Sequence, residues 1–279
     1  MADRLAALMT HFPMNARVFN AGALCGINTL DSDGVHGQLH LVRSGAVEVH
    51  YGSTTLPVTG PGLLLFARPT AHRFVTDPDR GADMVCAHLG FEGGADNPLA
   101  AALPDLVHLP LDEIAGAGPV LALLFEEAFD QRCGRLALIE RLFEVVMIQV
   151  LRQLMERGEV QAGLLSGLSH PRLRNALVAM HEAPADAWTL ESLAQAAGMS
   201  RSAFASAFVD VVGMTPGQYL QDWRVRLAKQ ALRRGRPLKV IADEVGYGSE
   251  AALSRAFKAH SGLSPRAWRR AGVASEAVA

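Results

Sequence analysis

The sequence predicts an α+β protein of two domains: an N-terminal β-barrel with an appended helical pair, followed by an all-α domain. Three observations lead to this fold class. Residues 17–110 alternate short apolar runs with Gly, Pro and Asp turns, and stretches such as AVEVHY have the period of two that is typical of strands. After Pro119 apolar residues recur at helical spacing. Beyond residue 190 one helical segment occurs twice.

The composition is that of a globular chain whose charges are unevenly distributed. Of the 279 residues, 49% are apolar and 19% are charged, which argues against a disordered chain. Residues 170–272 contain fifteen Lys and Arg against eight Asp and Glu, whereas residues 1–169 contain eleven against nineteen. A basic half joined to an acidic half favours a polyanionic partner for the basic half.

The sequence gives no sign of a membrane protein. Its opening, MADRLAALMTHF, carries Asp3 and Arg4 and lacks a sustained apolar core, and no uncharged apolar run reaches eighteen residues. Three cysteines without a secretion signal are typical of a reducing compartment. We therefore expect no membrane association and a cytoplasmic location.

The repeated segment consists of LAQAAGMSRSAFASAFVDVVGMTPGQYL (193–220) and IADEVGYGSEAALSRAFKAHSGLSPRAW (241–268). Ala194 and Gly198 match residues 242 and 246, and after one inserted residue a Phe, a Gly, a Pro and an aromatic match as well. Thr189 and Ser200 are predicted N-caps of the first two helices, Leu190–Ala197 and 201–212. The second copy repeats this plan over 238–245 and 249–260.

A helix pair joined by a glycine turn is the helix-turn-helix pattern, whose second helix enters the DNA major groove. These residues resemble the DNA-binding domain of the AraC/XylS family of transcription regulators over about 170–270. The resemblance implies two such motifs around a linker helix, with recognition helices in successive major grooves. Together with the outward-facing cations of the two second helices, it leads us to expect DNA contacts from eight residues: Arg201, Ser202, Ser206, Ser249, Glu250, Ala251, Arg255 and Lys258.

The two motifs differ in the chemistry that they offer to DNA. The first has Ser202, Ala205 and Ser206 at its matching positions, so we expect it to contact mainly phosphates and thymine methyl groups. Arg255, which the resemblance places where a base is read, gives the second motif most of the specificity. Further basic residues are expected to contact the phosphate backbone: Arg224, Arg226, Lys229, Arg233, Arg234, Arg236 and Lys239.

The N-terminal half contains two stretches that resemble cupin motifs. GPGLLLFARPTAHRF (60–74) resembles the second motif and LHLVRSG (39–45) the first, reduced to one histidine. Cupins commonly serve as sensing domains of AraC-type regulators, including those that respond to reactive chlorine species through cysteines on these strands. By this resemblance His40 and His72 occupy metal positions.

Three interpretations of the sensor half stay open. Cys25, His40, His72 and Cys86 could form a metal site suited to zinc or a redox site at Cys25 and Cys86. The barrel interior could instead bind a small organic effector, or these side chains could simply pack. His36 or His88 could replace a member of the quartet, and Cys133 is expected to take no part.

The helices after Pro119 are predicted to form a dimer contact. Leu138, Leu142, Val145, Val146, Ile148 and Leu151 surround much of the second helix and cannot all face one small barrel. The alternative is packing on the barrel alone. The predicted divisions are a sensor barrel at 1–118, a helical pair at 119–157, a linker at 158–171 that could dock on the DNA-binding domain, that domain at 172–272, and a disordered tail at 273–279.

The sequence therefore predicts a sequence-specific DNA-binding transcription regulator that senses an effector, an oxidant or a metal. Its expected partners are double-stranded DNA, a second copy of the chain, a small effector or oxidant, and RNA polymerase if it activates. The alternative is a cupin-type metalloenzyme, a dioxygenase or isomerase with a helical appendage. The sequence disfavours an enzyme because His36 and His40 are four apart and the usual HxH pair is missing.

Overall fold

The computed structural model describes residues 3–130, 132–158 and 162–276. These form two compact units. One, the β unit, comprises residues 12–158. The other, the helical unit, combines residues 3–11 with residues 162–276. The first eleven residues were expected in the barrel, but the described ones, residues 3–11, belong to the helical unit instead. The physical reason is burial: Leu8 of the first helix, α1 (Ala6–His11), is fully buried, and Arg4 Nη1 donates to the Leu168 carbonyl at 3.2 Å.

The β unit contains nine antiparallel strands in two sheets. A five-stranded sheet, sheet A, has the order β1-β8-β3-β6-β9, and a four-stranded sheet, sheet B, has the order β2-β7-β4-β5. The strands therefore form two layers rather than one closed barrel. Their bounds are β1 Met14–Leu24, β2 Ile27–Leu30, β3 Gly37–Ser44, β4 Val47–Tyr51, β5 Thr54–Val58, β6 Gly62–Phe66, β7 His72–Thr76, β8 Ala82–Phe91 and β9 Val107–Pro110.

The core of the β unit lies between the two sheets. Alternate residues of β3, β6 and β8 point inward, and Val42, Phe66 and Met84 meet Val49 and Phe74 of sheet B in one buried cluster. The opposite face of sheet A is also apolar, with Leu39, Leu41, Leu63, Leu65 and Val85 fully buried. Two-sided burial explains the continuous apolar run GLLLF in β6.

Three helices complete the β unit: α2 Pro98–Ala102, α3 Gly118–Phe129 and α4 Arg135–Arg157. Helices α3 and α4 pack on each other and on β1. Helix α4 begins after Gly134, whose φ of +82° is a conformation that glycine adopts without strain. Within the described ranges no helix has both the length and the apolar character needed to cross a bilayer.

The helical unit contains eight further helices. They are α5 Leu164–Ser169, α6 Leu173–Glu182, α7 Leu190–Ala196, α8 Arg201–Val212, α9 Pro216–Arg233, α10 Leu238–Glu244, α11 Glu250–Ser261 and α12 Pro265–Glu276. Helix α5 lies in the predicted linker and packs on α6 and α8, so this segment is docked. Helix α12 includes the first four residues of the predicted disordered tail, and the last three lie outside the described residues.

Candidate DNA interface and sensor site

The first helix-turn-helix motif consists of α7, the turn at Gly198 and α8. The Thr189 hydroxyl accepts from the Ser192 amide in a capping box, and the Ser200 hydroxyl accepts from the Ala203 amide, so both predicted N-caps are confirmed. Phe204 and Phe208 are fully buried, as their four-residue spacing predicts. The opposite face of α8 is therefore exposed.

The second motif repeats the first. Ser249 caps α11, Gly246 forms the turn with a φ of +80°, and Leu253 and Phe257 are fully buried. The equivalent aromatic pairs have nearly the same geometry: Phe208 meets Tyr219 at 5.7 Å and 74°, and Phe257 meets Trp268 at 5.7 Å and 76°. The sequence repeat is thus a structural repeat.

All eight predicted DNA-contacting residues have exposed side chains on the two second helices or at their N-caps. Ser249 differs from the others because its hydroxyl also accepts from the Ala252 amide at 3.2 Å. That these residues contact DNA stays a prediction. Their exposure leaves them accessible for such contacts.

Two of the predicted phosphate contacts are corrected by the structure. Arg224 is half-buried and donates to the carbonyls of Pro184, Asp186 and Gly246, so it fixes the turn of the second motif. Lys229 is only 5% exposed and lies 5.8 Å from the ring of Trp268. A basic residue on a helix predicts a surface cation, but both side chains are engaged in packing the helical unit.

The sensor quartet is only partly assembled. His40 and His72 come together in the core with their Nε2 atoms 2.9 Å apart. Cys86 lies on β8 directly opposite His40, and its thiol is fully buried. Burial raises the pKa of Cys86, which disfavours the thiolate form that binds metals and reacts with oxidants.

Cys25 does not join the other three residues. It lies just beyond the end of β1 and is exposed, whereas the register of β1 and β8 places Cys86 opposite Asn20. Five residues of extended strand correspond to about 16 Å. Within the described residues no three His, Cys, Asp or Glu side chains are grouped so that they could hold a metal ion. The four-ligand site is therefore not formed, and zinc stays an untested prediction.

His36 and His88, the possible substitutes, lie together at one end of sheet A with ring centroids 5.9 Å apart. Cys133 is exposed beside the break between α3 and α4. Gln38 was not among the predicted site residues; it is 3% exposed, and its Oε1 atom has no hydrogen-bond partner within the described part of the chain. Its position two residues before His40 on one strand could have indicated that it faces the same interior.

Helix α4 has one apolar side that the β unit does not cover. Leu142, Val146 and Leu151 are buried, but Leu138 and Val145 are 40% and 38% exposed. Leu123 of α3 is also 40% exposed. Some of the apolar residues predicted around this helix are thus buried within the chain, and others stay on the surface.

Two family models match the chain. A cupin model covers residues 3–156, and a helix-turn-helix domain model covers residues 193–271. An AraC-like transcription regulator of Streptomyces lividans is 35% identical over 82% of this chain and 76% of its own length. The RCS-specific transcriptional activator RclR of Escherichia coli is 31% identical over 82% of this chain and 83% of its own length.

Two solved structures also resemble the chain in part or over most of its length. ToxT from Vibrio cholerae covers 92% of this chain and 94% of its own at 12% identity, with a TM-score of 0.40. The DNA-binding domain of AdpA, solved with its target DNA, covers 38% of this chain and 96% of its own at 30% identity, with a TM-score of 0.35. From the family models and the curated relatives, the chain belongs to the AraC-like transcription regulators, DNA-binding proteins rather than enzymes, with a cupin sensing domain before the helix-turn-helix domain.

Proposed function

We propose that this regulator binds its operator as a homodimer, each copy placing α8 and α11 in the major groove. The observation that carries this proposal is the duplicated motif, whose two second helices both bury an aromatic face and expose a small, polar face. On α11, the guanidinium of Arg255 can donate two hydrogen bonds to one guanine.

The exposed apolar residues of α3 and α4 support the dimer. Leu123, Leu138 and Val145 lie on the two helices that already form one packed pair. Exposed leucine and valine on neighbouring helices favour association because burying them removes apolar surface from water. A second copy offers the same surface, which suits a two-fold contact.

The β unit is the proposed sensor, with three candidate stimuli. If a metal is sensed, His40 and His72 would hold it, since two imidazole Nε2 atoms converge at 2.9 Å; zinc suits such nitrogen ligands. If an oxidant is sensed, as the name of the E. coli relative suggests for that protein, Cys25 is the accessible one of the two proposed redox cysteines. A small organic effector is the third candidate. We place the protein in the cytoplasm at the nucleoid, with RNA polymerase as a partner if it activates.

Genome-wide footprinting in cells with and without oxidant tests this proposal. We expect discrete sites with paired half-sites, and occupancy or protection that changes with the stimulus. The matched control is a chain carrying Arg255→Ala and Lys258→Ala, which should lose discrete sites while remaining folded. Uniform binding along the genome, unchanged by these substitutions, would refute the proposal.

A further inference from the structure

Three buried hydrogen-bonding atoms on the inner face of sheet A have no hydrogen-bond partner among the residues that the structure describes. They are Gln38 Oε1, His40 Nδ1 and His88 Nδ1. Gln38 and His40 alternate along β3, and His88 on β8 is the register partner of Gln38, so the three side chains share one face. Buried polar groups normally have partners, and a cluster that lacks them indicates a place where a ligand supplies the bonds.

The protonation of this cluster follows from its hydrogen bonds. His72 Nδ1 donates to the Thr70 carbonyl at 2.9 Å, which leaves His72 Nε2 as an acceptor. His40 Nε2, 2.9 Å away, must then be the donor between the two rings. His40 Nδ1 is therefore a bare lone pair in a fully buried site.

A partly exposed aromatic ring lies beside these atoms, and a groove lies next to them at the strand ends, where His36 lines it. Phe19 is 38% exposed and lies 4.4 Å from the His88 ring and 6.1 Å from the His40 ring. The His36 ring, 5.9 Å from that of His88, lines a groove of about 540 Å³ at the strand ends, together with Asn15, Gly90, Glu92, Arg141 and Glu144.

The charges around the groove favour a ligand that donates hydrogen bonds. His36 is paired with Asp33 at 2.6 Å, and Arg141 is paired with Glu144 at 2.9 Å. Arg17, opposite His88 on β1, is exposed to solvent. A carboxylate would also meet the lone pair of His40 Nδ1.

We propose that Gln38, His40 and His88 form an inner-face site for a small nitrogenous effector, an amine, amidine or guanidine, whose apolar part stacks on Phe19. This proposal rests on the proposed sensor function and names the ligand chemistry of its third candidate stimulus. His40 contributes through Nδ1, the ring atom that does not face His72.

Benzamidine and benzoate, two probes of the same shape and opposite charge, test the site in the full-length protein. At 10 mM, a millimolar-affinity benzamidine should raise the thermal midpoint by about 2–4 °C, whereas benzoate should not. His88→Phe and the milder Phe19→Ala should each abolish the shift. The control is His108→Phe, the same substitution at an exposed histidine on β9. Line broadening of benzamidine proton signals by the unsubstituted protein gives a readout independent of variant stability.

Equal shifts with benzoate, a shift that survives both substitutions, or neither shift nor line broadening with benzamidine would each overturn the inner-face site. Binding of an operator duplex selected from random DNA, measured by fluorescence anisotropy in the same samples, separates this outcome from failure of the proposed function. If DNA binds but benzamidine does not, only the site is wrong. If DNA does not bind as proposed, the regulator account fails whatever the probe does.

Discussion

At the scale of single residues, Arg255 and Arg201 should have different effects on DNA binding. Arg255→Ala should cost about 1–3 kcal/mol of binding free energy and relax specificity at one base pair, because its fork reads a base. Arg201→Ala should weaken binding to all DNA sequences alike, because a phosphate contact carries no sequence information. It should also reduce the salt dependence of binding by about one released counterion. Competition binding against single-base operator variants at several salt concentrations distinguishes the two. If Arg255→Ala lowered affinity for operator and random DNA equally, its assigned role would be wrong.

His181 makes the helical unit sensitive to acid. Its Nε2 atom lies 2.6 Å from the Tyr219 hydroxyl, and burial, followed by the nearby His11, lowers the pKa of His181 to about 3. An unfolded imidazole has a pKa near 6.5, so between these values only the unfolded chain binds the proton. The free energy of unfolding should therefore fall by up to about 1.4 kcal/mol per pH unit as the pH is lowered through this window.

The variant His181→Gln checks this, since an amide can bond to Tyr219 without titrating. The free energy of unfolding, measured with urea at pH 6, 5 and 4, should depend less steeply on pH than in the original chain. The difference in slope should correspond to about one bound proton. The three tryptophans, at positions 188, 223 and 268, all lie in the helical unit and report its unfolding. His50→Gln in the β unit is the control. Identical slopes for His181→Gln and the original chain would contradict the assignment.

At the scale of elements, the two motifs use their turn glycines differently. Both have positive φ, but a Cβ on Gly246 would lie 2.7 Å from the backbone of Ala185, whereas one on Gly198 meets nothing within 4 Å. Gly198→Ala should cost about 1–2 kcal/mol of stability through backbone conformation alone. Gly246→Ala should cost more because backbone atoms must also move. Urea unfolding of both variants checks this order, and equal losses would show that the Ala185 contact is unimportant.

The exposed side of α4 should control association. If the proposed dimer forms, replacing Leu138 and Val145 by Asp should convert it to monomers without loss of helix content, since both side chains already face solvent in the single chain. Sedimentation velocity at micromolar concentration is the measurement. Val35→Asp, at a 62% exposed position elsewhere in the β unit, is the control. A monomeric original chain, or a variant that still dimerises, would rule out this surface.

At the scale of the whole molecule, the sequence predicted what local signals determine. Caps at Thr189 and Ser200, the turn glycines and the Phe spacing each act within one or two helical turns, and the structure has them where expected. The predictions that were wrong depend on pairing between residues that are far apart in the sequence. The separation of Cys25 from Cys86 follows from the register of β1 with β8, which no local pattern specifies.

The same distinction explains the other corrections. The docking of α1 in the helical unit joins residues about 160 positions apart, as in the bond from Arg4 to Leu168. Arg224 and Lys229 are of residue types that usually lie on the surface, but both side chains take part in the packing of the folded helical unit. The unpaired atoms of Gln38 and His40 likewise emerge from strand pairing and burial.

Selection of operator sites from random duplex DNA, followed by methylation interference at guanine N7, tests the central claim most directly. If both motifs of one chain enter the major groove, interference should fall in two clusters about one helical turn, or 10 base pairs, apart. Arg255→Ala should erase a contact in one cluster and leave the other intact. A single cluster, or an interference pattern that Arg255→Ala leaves unchanged, would contradict the account.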